Sequence, residues 1–152
     1  MGTSEVDSTS VVYDLKWHHV AVTYDVSVHQ VKFYIDGILD ATVAYNPTDF
    51  NSGNSDYSIG VLTSTTSNYL KGNIDEIRIW NNVVLTQTEI RDWMCKKITS
   101  AHPEFTSLFA YYRFDNDNDF VTYSVGGNHG TLINSPVVLT CCASIDDAPL
   151  YA

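Results

Sequence analysis

The sequence predicts an all-β protein carrying one short helix, and three observations lead there. Aromatic and β-branched residues abound: ten Tyr and three Trp stand among many Val and Thr, side chains that pack well on a half-buried pleated surface. WHHVAVTY (17–24) and QVKFYID (30–36) alternate apolar with other residues, and period two puts successive side chains on opposite faces of a strand. Asp36-Gly37 separates two such runs, the strongest short-range hairpin signal, because a type I′ turn demands positive φ at both central residues. With 44% hydrophobic and 17% charged residues, the chain has the apolar content that disordered polypeptides lack.

The elements follow in order. Residues 1–10 are small and polar and read as a loop or frayed terminus. In the first strand His18, Val20, Val22 and Tyr24 share one face, while Trp17, His19, Ala21 and Thr23 share the other. After a turn at 25–27, Val31, Phe33 and Ile35 face one way and Lys32, Tyr34 and Asp36 the other. Residues 38–45 form the return strand. NPTDFNSGNSD (46–56) is a loop of turn-forming residues, YSIGV (57–61) a short strand, and 62–68 a second loop. YLKGNIDEIRIW (69–80) reads as a strand pair or bent strand, with Gly72 marking a bulge or bend.

Thr86-Gln87-Thr88-Glu89 is a capping box, in which the Thr hydroxyl and the Glu carboxylate satisfy N–H groups orphaned at a helix start. Ile90, Trp93, Met94 and Ile98 then recur at helical spacing, so a helix is expected over about 86–98, with Lys96 and Lys97 at its negative end. SLFAYYRF (107–114) is a strand with Leu108, Ala110, Tyr112 and Phe114 on one face. The tail places short strands around 130–133 and 136–141, with loops at 115–128 and 143–149.

Length and charge narrow the function. A chain of 152 residues allows one ordinary domain with a core, or parts of two, and excludes a large multidomain enzyme. The formal net charge is −10, which disfavours nucleic acid and anionic lipid as partners. No apolar run is long enough to insert into a membrane. Residues 1–15 lack the basic and apolar regions of a signal peptide, so a secreted chain of this kind has its signal removed or carried elsewhere. Cys95, Cys141 and Cys142 make no C-x-x-C pattern, which gives zinc little support. They read as idle thiols or, outside the cell, as a bridge from Cys95 to Cys141 or Cys142.

WHHVAVTYD (17–25), VKFYIDG (31–37), YSIG (57–60), LKGNIDEIRIWN (70–81) and LTQTEI (85–90) stand in one order and spacing. Together they resemble the later part of the laminin-G-like, concanavalin A-like jelly-roll β-sandwich of the lectins and glucanases. LFAYYRFDNDND (108–119), GGNHGTL (126–132) and MCKK (94–97) strengthen the likeness to modules of secreted or cell-surface proteins of the Bacteroidetes. In that family an opening strand set with an F-D-G-x-x-D-Y-V stretch precedes the WHHV strand, and nothing ahead of Trp17 resembles it. The expected organisation is therefore an N-terminal loop or truncated edge at 1–16, the C-terminal part of the jelly roll at 17–98, and trailing strands at 99–152 that complete or follow the module. A sandwich without its front strands exposes edges and apolar face that need covering.

The resemblance also frames the candidate sites. Glycoside hydrolases of this fold use an E-x-D-x-x-E pattern, bringing two carboxylates to one face about 5 Å apart. Here Asp75 and Glu76 are adjacent and point to opposite faces, so no catalytic pair is expected. Asp75 is read as bonded to nearby backbone and Glu76 as paired with Arg78. Asp115, Asp117 and Asp119 alternate along a loop, the oxygen-rich chemistry that suits one structural Ca²⁺. Phe120 and Gly126 stand where an EF-hand needs Gly and Glu, so the loop is not one; Asp75 is a further weak calcium candidate. Sugar rings stack on aromatic side chains, which makes Tyr45, Phe50, Tyr57 and Tyr69, beside the two long loops, the glycan-binding candidates. His18 and His19, as strand neighbours, face opposite ways and do not chelate one metal.

The expected function is a non-enzymatic, extracellular or cell-surface module binding glycans or extracellular proteins in adhesion. The alternative is a structural or assembly module completed by a partner chain or by adjacent strands of its parent protein, and a remnant glycanase stands behind both. Fold alone does not decide among them.

Overall fold

The structure is a computed structural model that describes residues 6–45, 58–61, 69–114, 130, 131, 133, 136 and 137. Its strands β1 (Val20–Asp25), β2 (Gln30–Ile35) and β3 (Ile38–Ala44) form one antiparallel sheet in the order β1-β2-β3. Two further strands, β4 (Ile77–Trp80) and β5 (Leu108–Tyr112), pair antiparallel in a second sheet, and α1 (Gln87–Trp93), the one α-helix among the described residues, lies between them in sequence. The chain is mostly antiparallel β with one short helix, as its sequence predicts.

The hairpin forms where the Asp-Gly pair places it: Asp36 has φ 50° and Gly37 φ 72°, the left-handed backbone a type I′ turn requires. Val20 pairs with Ile35 and Val31 with Val43. This register gathers Val20, Val22, Tyr24, Val31, Phe33, Ile35, Ile38, Ala41 and Val43 on one face. That face is entirely apolar, yet Val20, Val22 and Ile38 are 51%, 56% and 64% exposed. The opposite face buries Tyr34. Asp40 is an extra residue in β3, opposite the step from Phe33 to Tyr34 where the register shifts. Its carboxylate accepts from the amides of Thr9 (2.6 Å) and Ser10 (3.1 Å), tying the leading segment to the sheet.

Several elements differ from expectation, each for a physical reason. The helix stops at Trp93, with Met94 as its cap, rather than near residue 98. Arg78 draws off the carbonyls past that point, donating from Nη1 to Trp93 O (2.8 Å) and from Nη2 to Lys96 O (2.6 Å). The start is as read: Thr86 accepts from the Glu89 amide, and the Glu89 carboxylate accepts from the Thr86 amide. The run 69–80 is strand only over its last four residues, because Glu76 sits at φ 53° and interrupts the extended backbone. Ahead of it Tyr69 makes a single bridge to Val61 in place of the expected strand at 57–61. Gly72 stands at an exposed bend, one of the two roles its place in the run suggests.

The bulge that matters lies elsewhere, where the β4–β5 register shifts between Ile79 and Trp80 and leaves Phe109 as an extra residue. It places Leu108 and Tyr111, three apart, on one face together with Arg78 and Trp80. Leu108 and Tyr111 join Ile98 in a core packed by Trp80, Trp93, Phe105 and Tyr112. The expected shared face of this strand, Leu108-Ala110-Tyr112-Phe114, is corrected accordingly: the extra Phe109 moves Leu108 from the face of Ala110 to that of Tyr111. α1 meets the first sheet at the hairpin turn, where Gln87 Nε2 donates to Gly37 O at 3.2 Å.

Candidate functional site

Glu76 and Arg78 lie at the entrance to β4, where the chain turns from the left-handed Glu76 into strand. Their side chains are 7% and 6% exposed and meet through Arg78 Nη2 and Glu76 Oε2 at 2.9 Å. The Tyr111 hydroxyl donates to the same carboxylate oxygen and accepts from the Ile98 amide. Burial, and then the hydrogen bond to Glu76, push the Tyr111 phenol well above its ordinary range, so it stays protonated as a donor. A buried ion pair is stable only when its remaining valences are met, and here Tyr111 and two backbone carbonyls meet most of them. Asp75 turns its Oδ1 to the Glu76 amide at 3.0 Å. The two carboxylates are thus held in structural bonds.

The two neighbouring histidines part company, as strand geometry requires. His18 faces Asp36 and Asp14 at 2.8 and 2.9 Å. His19 is buried toward Arg78, and desolvation with the Arg78 charge pushes its imidazole down to about 4. Farther along, His102 is 2% exposed, its ring 5.3 Å from that of Trp80 and 4.8 Å from that of Trp93. Its Nδ1 accepts from the Glu104 amide at 3.0 Å, so the neutral ring carries its proton on Nε2. Burial lowers its affinity for a second proton.

Tyr45 stands just beyond β3 on the apolar face, half-buried and edge-on to Tyr24 with ring centroids 6.4 Å apart. The Tyr24 hydroxyl lies 3.5 Å from Nδ1 of the exposed His29, and the Tyr45 amide donates to His29 O at 2.8 Å. Two aromatic rings and an imidazole therefore share one end of the sheet. Tyr69, at the bridge to Val61, is 51% exposed. Phe50 and Tyr57 lie outside the described residues.

Among the described residues no group of three or more His, Cys, Asp or Glu side chains is arranged to hold a metal ion. Of the calcium candidates, Asp75 accepts from the Glu76 amide, and Asp115, Asp117 and Asp119 lie outside the described residues. Cys95 is half-buried beyond α1; Cys141 and Cys142 lie outside. Sequence reasoning missed the contribution of Tyr111 to Glu76 and the carboxylates of Asp36 and Asp14 on His18. The first carries no local signal, and of the second only Asp14, four residues ahead of His18, shows.

Antiparallel sheets, with one capped helix between β4 and β5, are consistent with a concanavalin A-like β-sandwich. Residues 1–91 match the laminin G-like family model described as Concanavalin A-like lectin/glucanases superfamily, and the chain belongs to that family. The match begins ahead of Trp17 and ends within α1. No curated protein and no solved structure matches the chain. No helix among the described residues is long and apolar enough to cross a membrane.

Proposed function

We propose that the chain is a non-enzymatic, extracellular glycan-binding module of a secreted or surface-anchored bacterial protein of the Bacteroidetes kind. The observation that carries this reading is the state of Glu76. A hydrolytic carboxylate must reach the glycosidic oxygen or the anomeric carbon and exchange a proton or form a bond there. Glu76 is enclosed, with its charge matched by Arg78 and an oxygen taken by Tyr111. The family spans lectins and glucanases, and this carboxylate favours the lectin side.

Tyr24 and Tyr45, beside His29, supply the rings on which the apolar C–H faces of a sugar stack, with hydroxyl and imidazole groups to orient it. A glycan array paired with a reducing-end assay tests the reading. Retention of a glycan without release of reducing ends supports it, and hydrolysis abolished by Glu76→Gln replaces it with the glycanase reading.

A second reading is favoured by the bare apolar face around Val20, Val22 and Ile38. In it, further β-strands from the parent protein or a partner chain cover that face, and the module serves assembly. A blank glycan array together with a stable oligomer in light scattering, dispersed by Val22→Asp, supports this reading against the first.

A further inference from the structure

His18 stands between two carboxylates supplied by different parts of the chain. Its Nδ1 lies 2.8 Å from Asp36 Oδ2 and its Nε2 2.9 Å from Asp14 Oδ1. A neutral imidazole has one N–H and one lone pair, so it satisfies one carboxylate and turns a lone pair on the other. Only the imidazolium donates from both nitrogens.

The two carboxylates are anchored unequally. Asp36, in the β2–β3 turn, accepts from the His19 amide at 2.9 Å through Oδ1, and its own amide donates to His19 O at 2.8 Å. Asp14 belongs to the bend at 14–16, where it accepts from the Lys16 amide at 3.1 Å and pairs with Lys16 Nζ at 3.2 Å. Its side chain is 43% exposed, against 24% for Asp36. Within this bend Leu15 has φ 68° and is fully exposed. That is a left-handed backbone which an L side chain rarely adopts, with no burial to compensate it.

We propose that His18 is a proton-operated latch: as the imidazolium it clamps the 14–16 bend to the hairpin turn through Asp14 and Asp36, and on losing a proton it releases Asp14. Asp36 keeps the remaining N–H because its other bonds hold it in place. The released bend relaxes at Leu15, and the leading segment stays attached through the amides of Thr9 and Ser10 on Asp40.

The charges around the ring agree. Hydrogen bonds to Asp36 and then Asp14 raise the His18 proton affinity above its ordinary range, against a smaller cost of desolvation. Lys16 lies on the Asp14 side. His19, kept neutral, and Arg78 interact on the other face, and Arg91 of α1 lies against Gly37, next to Asp36. Because the proton affinity is raised in the folded chain, the stabilisation is complete below the ordinary histidine range and is lost as pH rises through the raised value. The latch opens on the alkaline side.

The test is a titration of the full chain, following the His18 ring by nitrogen-15 NMR and the Lys16 amide by hydrogen exchange. Expected are both ring nitrogens protonated on the acid side of the transition, a midpoint above that of an ordinary histidine, and Lys16 exchange that accelerates beyond its intrinsic pH trend at that midpoint. Asp14→Asn is expected to lower the midpoint, with the β1–β3 amides still protected. A midpoint at or below the ordinary range, or Lys16 exchange that does not follow it, overturns the latch. Should Asp14→Asn fail to fold, the two wild-type readouts decide alone.

Discussion

Tyr111, in β5, donates its hydroxyl to the carboxylate of Glu76 at the mouth of β4, 35 residues earlier in the chain. This bond joins the two strands through a side chain as well as through their backbone ladder. Tyr111→Phe removes the donor and also strands the Ile98 amide, so a loss of about 1–3 kcal/mol is expected in denaturant unfolding. Arg78→Met leaves Glu76 charged and unpaired in the interior, and about 3–5 kcal/mol is expected. A Tyr111→Phe variant as stable as the wild type contradicts the structural role.

Gly37 carries two constraints at once. Its φ of 72° disfavours any side chain, and a Cβ there would lie 2.6 Å from Arg91 Cγ. Gly37→Ala is expected to cost about 1–2 kcal/mol from the backbone alone, with a steric part added. In the double variant with Arg91→Ala, thermal unfolding should regain the steric part and leave the backbone cost.

The capping box at α1 is measurable in isolation. Thr86→Ala removes the acceptor for the Glu89 amide, and a loss of about 1 kcal/mol is expected. Thr86→Ser, which keeps the oxygen, should stay close to the wild type.

Stability should depend on pH with opposite signs at the adjacent histidines. His19 is depressed by burial and by Arg78 to about 4, so its neutral form stabilises the fold fully above the ordinary value of 6.5. That contribution is lost as pH falls from there toward 4. His18 is raised, and its contribution is lost on the alkaline side. Unfolding free energies across pH should show a flatter acid limb in His19→Gln and a flatter alkaline limb in His18→Gln; the same limb flattening in both variants contradicts the assignment.

Much of the fold was legible because it is local. The Asp36-Gly37 turn, the alternation of β1 to β3 and the Thr86–Glu89 box depend on neighbours in sequence, and all three stand in the structure. The reading failed where distant groups intervene. Ile98 keeps the helical spacing, yet Arg78, reaching in from β4, takes the carbonyls that further helix would use. Glu76, in a left-handed conformation with its carboxylate on Arg78 and Tyr111, breaks a run whose composition reads as one strand. Site legibility was similar: the pairing of Glu76 with Arg78 lay two residues apart and was visible, whereas Tyr111 was not. Of the glycan candidates, Tyr45 stands edge-on to Tyr24, and alternation shows their shared face only once the strand register is known.

The most direct measurement of the central claim is a glycan array run with the wild type and with Tyr45→Ala. The expected result is binding of at least one glycan class by the wild type, at least about tenfold weaker in the variant, since losing one stacked ring costs on the order of 1.4 kcal/mol. A blank array for the folded wild type, or binding indifferent to Tyr45, contradicts it.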